Sequence, residues 1–121
     1  MKSDNIIQKK SYAFALRIVK LYIYLKDEKQ EYTLGKQILR SGTSIGANVE
    51  EAIGGQSDKD FLAKMSIAYK EARETHYWIR LLHDSNFINP IEKDSLIKVC
   101  DELLKIIGSI QNTMKQKIRN S

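Results

Sequence analysis

Residues 37–55 read QILRSGTSIGANVEEAIGG, and the role of the small residues in this stretch decides the fold. Ser41, Gly42, Thr43, Ser44, Gly46 and Ala47 crowd together as they do nowhere else in the chain. Two kinds of structure use such a run. A glycine-rich loop cradles phosphate with its amides, whereas a helix with small residues at helical spacing lets a second backbone come close. SGTSIGAN does not fit GxxxxGK[ST], and no alternating strand precedes it, so the phosphate loop is the poorer fit. Leu34, Ile38, Ile45, Val49 and Ala52 instead form one stripe at about 100° per residue, with Gly42 and Gly46 beside it. The spacing predicts a helix from about residue 32 to residue 53. Each glycine inside it costs about 1 kcal/mol relative to alanine. Gly42 and Gly46 are therefore assigned to close helix packing.

On the N-terminal side, residues 5–27 carry Ile7, Phe14, Ile18, Leu21, Tyr22 and Leu25 on one face. Tyr12, Leu16, Val19 and Ile23 repeat on another, leaving only a narrow basic wedge of Lys9, Lys10, Arg17 and Lys20. A helix that is apolar on two sides has two things to pack against, its own bundle and a second subunit. The short polar run 26–31 is a helix-to-helix turn.

On the C-terminal side, Gly54-Gly55 is expected to end the helix in the left-handed conformation. Ser57-Asp58-Lys59-Asp60 reads as a capping box, with Asp60 in place of the usual Glu. A third helix, 58–85, then aligns Phe61, Met65, Ala68, Ala72, Ile79 and Leu82, with Thr75 among them. Ile67, Trp78 and Leu81 fall off that stripe, and a tryptophan away from the core points to an intersubunit contact. Lys59, Lys70, Arg73 and Arg80 make a basic strip. Asn89-Pro90-Ile91-Glu92 opens a fourth helix, 90–117, with Asn at the N-cap and Pro at N1. Leu96, Val99, Cys100, Leu103, Ile106, Ile107, Ile110 and Met114 form its core stripe, and the basic tail MKQKIRNS, residues 114–121, is expected to fray. Four helices with short connections in a single domain, residues 1–121, predict an all-α, antiparallel up-down-up-down four-helix bundle.

Composition narrows the function. With 121 residues, 42% hydrophobic and 29% charged, the chain is a globular domain large enough for its own core. The lone Cys100 excludes an internal disulfide and fits a reducing cytoplasm; no Cys/His cluster points to zinc. Charges interrupt the N-terminal apolar runs, so no signal peptide is expected, and no run reaches the roughly 20 residues of a membrane span. A net charge of +5 permits a polyanionic partner, RNA, DNA or an acidic protein, without naming one.

Catalytic patterns are missing. A di-iron bundle needs Glu-x-x-His pairs, but Arg73 and Arg80 stand three residues before His76 and His83. Glu50, Glu51, Glu71 and Glu74 fit ion pairs with Arg40 and Arg73, or polar interface contacts, better than a metal. No Ser/His/Asp or Cys/His set is legible. Neither catalysis, nor a metal, nor another cofactor is expected. Candidate nucleic-acid contacts are Lys10, Arg17, Lys59, Lys70, Arg73 and Arg80, which can follow phosphates without reading bases. Candidate oligomer contacts are Tyr12, Leu16, Val19, Ile23, Arg40, Glu51, Ile67, Trp78 and Leu81. These features lead to the expectation of a non-enzymatic homo-oligomeric bundle scaffold associated with RNA or a nucleoprotein through basic surfaces; a protein-interaction adaptor that binds no nucleic acid uses the same apolar stripes and stays open as the alternative.

The runs KSYAFALRIVKLY, KQILRSGTSIGANVEEA and DFLAKMSIAYKEARETHYWIRLL resemble the four-helix bundle protein family, also called the 23S rRNA-intervening-sequence protein family. The resemblance covers about residues 8–110 and includes Gln37, Arg40, Ser41, Ser44, Ile45, Asn48, Glu51, Phe61, Glu71, Glu74 and Trp78. It implies a bacterial cytoplasmic protein and ring-like homo-oligomers, with pentamers foremost. It also implies kinship with the accessory bundle proteins of diversity-generating retroelements, which bind nucleic acid through basic surfaces. No catalytic residues come with it.

Overall fold

Four stretches of apolar residues at helical spacing become four helices in the computed structural model, which describes residues 2–121, with side chains from residue 5. They are α1 (Lys2–Asp27), α2 (Thr33–Ile53), α3 (Asp58–Asp84) and α4 (Pro90–Arg119). The connections, 28–32, 54–57 and 85–89, are too short to do more than reverse the chain. Each helix packs along the next, and α1 meets α4 along a lighter seam that closes the ring. The result is the up-down-up-down bundle.

Each stripe delivers the core. Phe14 and Ile18 from α1, Ile38 and Ile45 from α2, Met65 and Ile79 from α3, and Leu96, Leu103 and Ile107 from α4 are all buried. Cys100 joins them, its Sγ donating to the Ala72 carbonyl at 3.2 Å. Ile88 adds to the core from the last connection.

Gly42 and Gly46 both face α1, at different distances. A Cβ at Gly42 would stand 2.8 Å from both Cγ1 and Cγ2 of Ile18. One at Gly46 would stand 3.4 Å from the Ser11 carbonyl oxygen. Gly35 extends the same side of α2, facing Tyr22 and Leu25. On its other flank α2 meets α3 through a buried polar pair. The Ser41 and Thr75 hydroxyls lie 2.9 Å apart, and the Thr75 hydroxyl also donates to the Glu71 carbonyl at 2.8 Å. A hydroxyl has one proton, so Ser41 supplies the proton of the shared bond.

The helix starts follow their caps. Ser57 accepts the Asp60 amide at 3.1 Å, and Asn89 accepts the Glu92 amide at 2.8 Å, with Pro90 at N1. Among the described residues only the Ser57 half of the expected capping box forms, because Asp60 is one methylene shorter than the usual Glu. α2 begins at Thr33, without a side-chain cap from Tyr32; Glu31 takes the amides of Thr33 and Leu34 instead.

One expectation is corrected. Gly54 ends α2 at φ −82°, and no glycine among the described residues has positive φ. What Gly55 supplies is room, since a Cβ there would lie 3.0 Å from the Ala52 carbonyl oxygen. The left-handed turns fall to Gln30 and Asn86. The last helix runs to Arg119, two residues past the expected 117, with buried Met114, half-buried Ile118 and a Lys117–Asp58 ion pair at 3.4 Å along its final turns.

Candidate functional site

The α2 stretch and the middle of α3 build a polar seam at their shared surface. Arg40 Nη1 donates to Glu71 Oε2 at 2.7 Å, and Nη2 reaches Glu74 Oε2. The Trp78 indole N–H donates to that same Glu74 oxygen at 3.0 Å. The Trp78 hydrogen bond, and then the Arg40 guanidinium, hold the Glu74 carboxyl below its ordinary range despite partial desolvation. The Glu71 and Glu74 hydrogen bonds raise Arg40 further. Glu51 pairs with Lys64 at 2.9 Å, and Gln8 donates to Glu50 at 2.9 Å. These carboxylates are therefore engaged in ion pairs and hydrogen bonds. Trp78, placed off the core by spacing, is half-buried against it. Leu81 is half-buried too, whereas Ile67 is exposed.

The basic candidates separate into two groups. Lys10 is paired with Glu102 at 3.0 Å, and Arg17 more loosely with Glu92 at 3.5 Å, both across the α1–α4 seam. Lys59, Lys70 and Arg73 are exposed and have no carboxylate within ion-pair distance among the described residues. Arg73 and Arg80 line a shallow hollow with His76 and Leu104 between α3 and α4. Arg80 Nε donates to His76 Nδ1 at 3.1 Å, so the ring proton sits on Nε2, facing Asp101 Oδ1 at 3.2 Å. Lys59 stands apart, about 30 Å along α3 from Arg80 at 1.5 Å per residue.

Spacing alone left out two residues. Lys98 and Lys105 lie seven apart on the outer face of α4 and are exposed. On the same helix Asp101 faces His76 of α3, while Glu92 and Glu102 face Arg17 and Lys10 of α1, so α4 lies between the two groups of basic residues. The period of Lys98 and Lys105 was visible in the sequence, but their neighbours on α1 and α3 were not. Around them, Glu92, Asp94 and Glu102 each face a cation, and Asp101, which faces the His76 ring, is outnumbered by Lys98, Lys105, Arg73 and Arg80, so the excess charge of this face is positive.

On the far side of α1, Tyr12, Leu16, Val19 and Ile23 are 65%, 51%, 38% and 47% exposed. They stand opposite the buried row of Ile7, Phe14, Ile18 and Leu25, so the helix is apolar on both faces. Beside the ridge, a shallow apolar groove runs between Tyr12 and Ala15 of α1 and Gly46 and Ala47 of α2.

No group of three His, Cys, Asp or Glu suited to a metal occurs among the described residues, and none of their helices is long and apolar enough to cross a membrane. Burial, with the nearby Asp101 charge, pushes the Cys100 thiol up to about 12, so it is no nucleophile near neutrality.

Fold and surface define a small all-helical bundle with one basic face and one exposed apolar ridge. Residues 3–109 match the model of the 23S rRNA-intervening sequence protein, and the chain belongs to that family. Among solved structures it is similar to a protein of unknown function from the S23 ribosomal protein family of Bacteroides thetaiotaomicron. The TM-score is 0.90 at 46% identity, covering 91% of this chain and 98% of that one. Among curated proteins, none matches this chain.

Proposed function

We propose that this protein is a non-catalytic, self-associating bundle that holds RNA along the basic face running over α4 from α3 to α1. The exposed charge of Lys98 and Lys105, flanked by Arg73 and Arg80 on one side and Lys20 on the other, carries this reading. Such a track follows phosphates and displaces their counterions without reading bases. The family's description and its structural neighbour's refer to ribosomal RNA and to a ribosomal protein family, in keeping with an RNA partner in the cytoplasm.

Titration of a labelled single-stranded RNA at 50 and 200 mM salt tests the reading. Binding is expected at low salt and falls steeply at high salt; no binding at 50 mM removes it. Self-association rests on the α1 ridge, which is too apolar to stay in water when a partner surface is at hand. Light-scattering mass at micromolar concentration is expected to give a homo-oligomer, the pentameric ring implied by the family resemblance being one outcome. A monomer overturns this part.

The same ridge favours a second reading, a protein-interaction adaptor without nucleic acid. A protein partner captured from lysate that survives nuclease treatment, together with no RNA binding at low salt, decides for it.

A further inference from the structure

The light α1–α4 seam leaves a cavity of about 480 Å³ near the start of α4. Across that seam run two ion pairs, Arg17–Glu92 at the cavity itself and Lys10–Glu102 outside it. Its floor is apolar, made by buried Leu21 and Ile88. Its walls carry Arg17, Lys20 and the ring of Tyr24, which is 41% exposed. Lys29 Nζ lies 6.0 Å from the centre of that ring and adds a further positive charge. Asn89 already takes the Glu92 amide at the helix start, so the charge available to a ligand comes from the side chains of α1 and the following turn.

We propose that this cavity seats one nucleotide of a single-stranded RNA, its base against Tyr24 and its phosphate on Arg17 and Lys20. The proposal rests on the RNA reading above and gives that face a specific anchor. A ring, an apolar floor and two cations within one cavity match the two halves of a nucleotide, a flat π-face and an anion. An acidic peptide would use the cations and leave the ring without a function. The Arg17–Glu92 contact at 3.5 Å is longer than the 2.7–2.9 Å of a strong charge-assisted bond, so the guanidinium keeps donors for phosphate. Glu92 is then the competitor that a phosphate displaces.

The experiment is fluorescence anisotropy with the full chain and a ten-nucleotide labelled RNA at 50 and 200 mM salt. It compares wild type, Tyr24→Leu, Tyr24→Phe and Glu92→Gln, with circular dichroism verifying that each stays helical. Tyr24→Leu is expected to weaken binding about 5- to 150-fold with an unchanged salt slope, because stacking and not charge is lost. Tyr24→Phe is expected to bind like wild type, and Glu92→Gln to bind more tightly. Wild-type binding that Tyr24→Leu leaves intact overturns the cavity proposal while the RNA reading stands. No wild-type binding at 50 mM overturns both. Displacement of the RNA by polyglutamate at equal charge concentration also overturns the nucleotide assignment.

Discussion

Gly42 and Gly46 stand one turn apart on α2 and answer to different neighbours. Alanine at 42 places its methyl 2.8 Å from two γ carbons of Ile18 and 3.2 Å from its Cβ, atoms too near the α1 backbone to swing away. Overpacking of this kind costs about 1–3 kcal/mol, against a gain of about 1 kcal/mol in helix propensity. Gly42→Ala is expected to lower the urea midpoint. Gly46→Ala meets Ser11 at 3.4 Å, an ordinary contact, so the propensity gain prevails and the midpoint rises. Cys100 behaves as a core residue. Its thiol, raised to about 12 from an ordinary 9.0, keeps its proton in the native state where the unfolded chain would lose it. Stability is thus full below pH 9 and declines as the pH rises from there toward 12. Iodoacetamide labelling at pH 8 should be slow in buffer and accelerate only as urea unfolds the chain.

At the scale of the element, the α2–α3 contact carries the polar chemistry. Thr75→Val removes the acceptor of the buried Ser41 hydroxyl at a cost of about 1–3 kcal/mol. Adding Ser41→Ala should recover part of that loss, a coupling that a double-mutant denaturation cycle reads directly. Glu74 titrates below its ordinary 4.5 because Trp78, and then Arg40, stabilise its charged form. In that window the native state binds fewer protons than the unfolded chain, so the contribution is complete above pH 4.5 and is lost as the pH falls below it. Trp78→Phe should flatten this acid limb in thermal melts recorded from pH 6 to pH 3. The helices themselves were legible, since each core row repeats at helical spacing and the caps at Ser57 and Asn89 mark two starts. The polarity of Ser41 and Thr75 gave no sign that they face one another. The φ of Gly54, the role of Lys98 and Lys105 and the cavity beside Tyr24 depend on which helices become neighbours, which no single row of residues records.

For the whole molecule, charge and apolar surface occupy different sides of α1. Leu16→Glu lies on the exposed ridge, so it should leave the helical spectrum unchanged and shift the mass in light scattering toward the monomer. Lys98→Glu with Lys105→Glu should weaken RNA binding and reduce the salt slope, by about 0.7 for each phosphate of a single strand that is no longer neutralised. The slope separates these variants from one that merely misfolds.

The unequal seams also bear on how the chain closes. Contacts between α1 and α2, α2 and α3, and α3 and α4 lie within successive hairpins, whereas the α1–α4 seam joins the two ends of the chain. A structure so dominated by local contacts belongs among the fast folders, in the microsecond-to-millisecond range. The cavity beside Tyr24 is walled by α1 and the start of α4, so it exists only once those two ends have met.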